Sequence, residues 1–424
     1  FLGHYFTVGK KNIKKSNNQS VYQLGNPKIQ QKCLNIRQLN LDFKLSGISN
    51  LSSFSLALPY FKNLQILDLN LSANRIQDKD IQLLSSSLIK CQKIQSLTLD
   101  LQLNRLYHQS VSILGSQLAK CPKLTYLALD LRLNKFDDTT FSSLGQALKK
   151  CNYLSTLILD FRRLSSRSAQ NVASALDNNQ NLQTLVLRLD QNKIYNDGAE
   201  YLFSQLAKCS QLQSLTLSLQ FVLINDQIDS DFNSCLSKLV NLKYLDLDLR
   251  TLSLQSGQPL TDLGLGISKC ISLTHLEVDL EETYIQKYNV SKFVETLSKC
   301  DNLQILKILL MRCKIQDKFT IKIAKSLAEC KNISSLSLDL SDNKISDKGL
   351  NELALALSKW QKINSLKLDL TQIFINLVLQ IKAIFYKKDE FFWLRGSVQF
   401  GLSIDKMSQS SMFEVRFDLE QFRS

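Results

Sequence analysis

Three kinds of residue in this chain have the types and recurrence to carry chemistry: ten cysteines, three histidines and a recurring aspartate. Nucleophilic catalysis needs a thiol or hydroxyl beside a base, and a zinc site needs ligands paired at short spacing. His4, His108 and His275 stand in neither arrangement. Eight cysteines recur in step instead, at Cys33, Cys91, Cys121, Cys151, Cys209, Cys270, Cys300 and Cys330. Phe61, Asn179, Leu239 and Trp360 fill the missing rungs, and only Cys235 and Cys313 fall out of register. One thiol per interval is neither a disulfide framework nor a paired metal motif. Exchange with Phe, Leu and Trp assigns the position to core packing. Free thiols imply a reducing, intracellular and cytoplasmic setting. The chain has no glycine-rich phosphate loop, no nucleophile elbow and no kinase catalytic loop. The expectation is a protein that is not an enzyme, with no cofactor, no metal and no small-molecule substrate.

The aspartates form a second ladder: Asp42, Asn70, Asp100, Asp130, Asp160, Arg188, Ser218, Asp248, Asp279, Leu309, Asp339 and Asp369. Asp is a poor strand residue, and like charges on neighbouring strands repel. A repeated unfavourable choice asks for a reason. One reading is an acidic binding surface, reinforced by Asp246, Glu277, Glu281 and Glu282. The other is inheritance by duplication of a tolerated, solvated residue. Arg132, Arg162 and Arg250 lie two residues further along the same face and offset the charge locally. Tyr126, Ile158 and Val186 with Arg132, Arg162 and Arg188 make a mixed apolar and arginine patch, and Tyr and Arg are frequent interface anchors. The candidate partner-binding residues are therefore Asp100, Asp130, Asp160, Tyr126, Arg132, Arg162, Arg188, Tyr244, Asp246, Asp248, Glu277 and Asp279.

The elements that must position these residues repeat. The leading apolar residue of each strand motif falls at Ile36, Leu64, Ile94, Leu124, Leu154, Leu182, Leu212, Leu242, Leu273, Leu303, Ile333 and Ile363, twelve units spaced 28–31 residues apart. Self-similarity at such a period is the signature of a solenoid. Each unit opens with alternating leucines, such as Leu97, Leu99 and Leu101, which is a strand with one buried face. Its second half has helical spacing, such as Ile81, Leu84 and Leu88. Strands stack about 4.8 Å apart and helices about 8–10 Å apart, so the assembly must bend. The fold class is α/β: a horseshoe with a parallel sheet on the concave wall and helices on the convex wall. An asparagine ladder (Asn74, Asn104, Asn134, Asn192 and Asn343) is read as pairing backbone groups at the turn after each strand.

The chain of 424 residues carries a formal charge of +14. Lys90, Lys120, Lys150, Lys208, Lys238, Lys269, Lys299 and Lys359 each precede the cysteine position, at helix C-termini where the dipole favours cations. With the seven cations before Asp42, they nearly account for the whole excess. The positive charge thus lies in an arm and along one helix edge, not in a groove, which argues against nucleic-acid binding. No apolar run of about 18 residues marks a membrane span. Residues 1–32 read as a basic polar arm or linker, 33–371 as the solenoid, and 372–424 as an atypical C-terminal cap with a last helix near 375–388 and short strands beyond.

The Leu-x-Leu-x-x-Asn-x-Ile runs at Leu69–Ile76, Leu187–Ile194 and Leu338–Ile345 resemble leucine-rich repeats of the ribonuclease-inhibitor type. Each strand is longer than in that pattern by two residues. The resemblance implies a scaffold for recognising a protein or peptide, here one of basic character. It also leaves two alternatives: the regulatory repeats of a larger enzyme, such as a kinase, whose catalytic domain precedes Phe1, or a Ran-type GTPase activator.

Overall fold

The computed structural model describes residues 33–162, 164–177, 179–219, 229–250, 253–254, 258–285, 287–358, 360, 362–371, 373, 391–395, 399–403 and 412–416. The arm expected at 1–32 and the helix expected near 375–388 lie outside them. The chain divides at Gln211 into two compact units, each an α/β solenoid.

In the first unit, strands β1 (Gln38–Asp42), β2 (Ile66–Asn70), β3 (Ser96–Asp100), β4 (Tyr126–Asp130), β5 (Thr156–Asp160) and β6 (Thr184–Arg188) form a parallel run. Helices α1 (Ser52–Ala57), α2 (Asp78–Leu88), α3 (His108–Leu118), α4 (Asp138–Leu148), α5 (Ser166–Ala173) and α6 (Asn196–Leu206) follow them in turn. The second unit repeats the plan with strands β7 (Ser214–Ser218), β8 (Tyr244–Asp248), β9 (His275–Asp279), β10 (Ile305–Leu309), β11 (Ser335–Asp339) and β12 (Ser365–Asp369). Its helices are α7 (Asp229–Lys238), α8 (Gln258–Ser268), α9 (Lys287–Leu297), α10 (Asp317–Ala328) and α11 (Asp347–Leu357). Strands Phe391–Arg395, Gln399–Ser403 and Met412–Arg416 extend this sheet, the last pairing in parallel with β12.

The leucines dictate this arrangement. The second and fourth residues of every central strand are buried and the first, third and fifth face outward, as in Leu97 and Leu99 against Ser96, Thr98 and Asp100. Ile81, Leu84 and Leu88 bury the inner stripe of α2 against them. Each such side chain contributes roughly 1.5–3 kcal/mol by leaving water. Helix spacing is enforced at Gly145, where an added Cβ would sit 2.0 Å from the Asn171 carbonyl oxygen. Local polar groups set the starts: Asp137 accepts from the Thr140 amide, and Gln77 and Asp80 form a capping box.

The asparagine ladder ties each turn to its neighbour. Asn104 Nδ2 donates to the Leu71 and Leu101 carbonyls, and its Oδ1 accepts from the Ile76 amide. Asn74, Asn134, Asn192 and Asn343 repeat the pattern. Two repeats of the second unit substitute other donors. Thr283 Oγ1 donates to the Leu249 carbonyl and Cys313 Sγ to that of Leu280. Cys313, out of step with the thiol ladder, is in step with this one.

The cysteine rungs are free thiols, mostly buried, and burial pushes Cys91, Cys270 and Cys330 up to about 12. Packing is only part of their role. Cys91 and Cys270 donate to the Leu58 and Leu236 carbonyls at the end of the preceding helical segment. Asn179 and Trp360, at missing rungs, reach the equivalent Leu148 and Leu327 carbonyls. At these four rungs the side chain caps an orphaned acceptor of the preceding helical segment, a donor role that exchange with Phe and Leu conceals.

Candidate functional site

The outward strand positions align in rows. In the first unit Asn70, Asp100, Asp130, Asp160 and Arg188 sit side by side in register. One row over, Ser96, Tyr126, Thr156 and Thr184 do the same, and between them lie Thr98, Ala128, Ile158 and Val186. In the second unit Asp248 pairs with Asp279, Asp246 with Glu277, and Tyr244 with His275. Each candidate residue on a strand thus lies on the open sheet face of its own unit.

The aspartates have a local task that composition could not reveal. At the end of its strand, Asp100 Oδ1 accepts from the Gln102 amide at 3.0 Å. Asp42, Asp130, Asp248, Asp279, Asp339 and Asp369 each accept from the amide two residues on. Asn70 makes the same bond to the Ser72 amide at 3.0 Å. These are Asx turns, which satisfy an amide where the ladder stops. The side chain, not its charge, is what the turn needs.

The charge is then managed by one arginine in each unit. Arg132 Nη2 lies 2.5 Å from Asp130 Oδ2, and its Nε lies 3.2 Å from Asp160 Oδ1. Arg250 repeats the bridge, 2.6 Å from Asp248 and 3.2 Å from Asp279, with Glu281 at 4.0 Å. Bonding to Asp130 raises the Arg132 pKa, and bonding to Asp248 raises that of Arg250. Asp160 is only 8% exposed. Burial lifts its carboxyl to about 6 against the opposing pull of Arg132. Burial lifts Asp279 to about 6 as well, with the Glu281 amide and Arg250 pulling it down.

The two open faces differ in balance. In the first unit Asp68, Asp100, Asp130, Asp160 and Asp190 stand with Arg132, Arg162 and Arg188, around an apolar centre of Ala128, Ile158 and Val186. Arg162 Nη1 donates to Gln191 Oε1 at 3.1 Å. In the second unit Asp246, Asp248, Glu277, Asp279 and Glu281 are opposed by Arg250 and by Lys307, the latter paired with Glu277. Burial and then the Asp246 and Glu277 carboxylates raise the Tyr244 pKa.

The ladder lysines Lys90, Lys120, Lys150, Lys208, Lys238, Lys269 and Lys299 are exposed. Asp177 binds Lys149 at 2.7 Å and Lys208 at 2.8 Å, and these bonds hold its carboxyl down at about 2. Sequence reasoning missed a further cation row, Arg75, Arg105, Lys135 and Lys193, each directly after a ladder asparagine and exposed. The signal was present in the Asn-Arg and Asn-Lys pairs. Among the described residues no group of three His, Cys, Asp or Glu is arranged to hold a metal ion, and no helix is long and apolar enough to cross a membrane.

No protein-family model matches the chain. No curated protein matches it. Among solved structures it is similar to an internalin (inlF) from Listeria monocytogenes, at 17% identity over 86% of this chain and 91% of that one, with a TM-score of 0.49. An internalin C2 (inlC2) from the same organism shares 16% identity over 82% and 84% of the two chains, with a TM-score of 0.27. The second actin-binding site of leiomodin-1 shares 18% identity over 39% and 91%, with a TM-score of 0.30.

Proposed function

We propose that this chain is a non-enzymatic scaffold that binds a protein or peptide partner on the open faces of its sheets. The observation that carries this reading is the register. Within each unit, side chains from successive strands lie side by side in rows, so neighbouring repeats of that unit present one surface. The carboxylate excess around Asp246, Glu277 and Asp279 supports a partner of basic character at the second unit. The mixed patch of Tyr126, Ile158, Val186, Arg162 and Arg188 supports a less charge-selective contact at the first. Free, mostly buried thiols at eight of the twelve rungs fit a reducing intracellular compartment.

The test uses the whole chain as bait in cells of origin. A second bait carries Asp246→Asn, Glu277→Gln and Asp279→Asn. A third carries Tyr126→Ala and Arg162→Ala. Circular dichroism first checks that all three are folded. Retention of a basic protein by the first bait and its loss from the second supports the reading. Equal partner sets from all three baits overturn it.

A further inference from the structure

After eight of the strands the chain turns through a described residue in the left-handed region. These residues are Leu45, Ala73, Leu103, Leu133 and Gln191 in the first unit and Glu282, Arg312 and Asp342 in the second. Glycine or asparagine is the low-strain choice at such φ values. The fold accepts charged residues there, because Arg312 bridges Glu282 at 2.6 Å and Asp342 at 2.7 Å. The leucines of the first unit are therefore not required by the turn. Leu103 is nevertheless 51% exposed and Leu45 74%.

The residues that follow extend this surface. The stretch from Leu103 to Tyr107 alternates, with Leu103, Arg105 and Tyr107 exposed and Asn104 and Leu106 buried. Ala73–Gln77 and Leu133–Asp137 run beside it, joined by the Arg105 amide to the Ile76 carbonyl and the Lys135 amide to that of Leu106. The result is a strip with a central cation row, Arg75, Arg105 and Lys135, flanked by Leu103, Leu133 and Tyr107. Lys135 Nζ lies over the Tyr107 ring at 5.5 Å. The nearby carboxylates are taken up in local hydrogen bonds. Asp78 accepts from the Tyr107 amide, Asp137 from Thr139 and Thr140, and Asp138 from Ser165 and Ser168.

We propose that this strip is a docking surface for an acidic amphipathic helix of a protein partner. Adjacent extended segments place the cations about 4.8 Å apart. Carboxylates at every third or fourth position of a helix lie about 5–6 Å apart along one face. The helix aligns its acidic stripe with Arg75, Arg105 and Lys135 and sets apolar residues on Leu103 and Tyr107. The surface is separate from the open sheet faces and stands whether or not they bind a partner.

The probe is a synthetic helix of about 20 residues with Glu and Leu at i, i+3, i+4 and i+7 spacing. Binding to the full chain is read by fluorescence anisotropy in about 50 mM salt. A scrambled peptide of the same composition and a single-stranded oligonucleotide run beside it. We expect the patterned helix to bind at least about tenfold more tightly than the scrambled peptide, and Arg75→Glu with Arg105→Glu to cost about tenfold or more. Leu103→Asn relaxes the left-handed turn, so the fold gains while affinity falls severalfold. The idea is overturned by equal binding of the scrambled peptide, by preference for the oligonucleotide, or by charge-reversed variants that bind as well as the parent.

Discussion

The two units carry the same arginine bridge over neighbouring aspartates, and its surroundings differ. Arg132 has two further arginines nearby, Arg162 and Arg188, whereas Arg250 is outnumbered by Asp246, Asp248, Glu277, Asp279 and Glu281. The same contrast holds at the turns, where the second unit pairs its charges through Arg312 and the first exposes leucine beside exposed cations. A repeated backbone fixes where side chains project, and it leaves their sum free. An arginine cluster in one unit and a carboxylate cluster in the other are thus properties of this chain and not of the repeat.

The largest effect should come from the turn ladders. Asn104→Ala strips partners from the Leu71 and Leu101 carbonyls and the Ile76 amide, and should cost about 3 kcal/mol or more of unfolding stability. Cys313→Ala in the equivalent place removes a weaker thiol donor and should cost about 1 kcal/mol. Urea unfolding of both variants measures the gap, and equal losses would show that the thiol does as much as the amide.

Next is the bridge itself. Arg250→Ala leaves three carboxylates facing one another, and Arg132→Ala leaves two. The first should lose about 2 kcal/mol and the second about 1 kcal/mol, with the difference shrinking in about 1 M salt as screening sets in. A difference that salt does not reduce would mean lost packing by the arginine stem and not lost charge.

Smaller is a pH effect of one sign at Asp160 and Asp279 and of the opposite sign at Asp177. Asp160 and Asp279 have folded pKa values near 6, above their unfolded values. The folded state then binds more protons between about pH 4 and 6, so stability falls as pH rises through that window. Asp279→Asn should flatten this slope and add about 1 kcal/mol or less near pH 7, while keeping the turn bond to the Glu281 amide. Asp177, held near 2 by Lys149 and Lys208, works the other way. Its stabilisation is complete above about pH 4 and is lost as pH falls through about 2. Melting temperatures of Asp279→Asn and Asp177→Asn across pH 2–8 separate the two; parallel curves for both would refute the assignment.

The smallest change should be Asp100→Asn, within about 0.5 kcal/mol because Asn70 already makes that turn, against about 1 kcal/mol for Asp100→Ala. Thermal melts compare the pair. A large cost for the Asn variant would return the charge itself to a structural role.

The strand and helix of each repeat were legible because leucine spacing reports burial directly, and both the parallel run and the outward rows followed from it. The reason for Asp100 was not legible. Its partner is a backbone amide, and every residue but proline carries one. Thr283 and Cys313 escaped the asparagine ladder because the turn asks for a short side-chain donor rather than one residue type. The strip around Arg105 was hidden for another reason. A left-handed φ at Leu103 has no counterpart in composition, and three cations in separate repeats do not cluster along the sequence.

The cysteine caps give this chain a graduated internal scale. Eight of the twelve rungs hold a thiol, mostly out of solvent and hydrogen-bonded to a helix end, Cys91 and Cys270 to the neighbouring one, so each reacts fastest when its joint opens. In a molecule whose stability is a sum of local joints, the alkylation rate at Cys91, Cys121, Cys151, Cys209, Cys270 and Cys330 reads opening repeat by repeat. No label need be engineered for this, and a bound partner would mark its footprint as the thiols it slows.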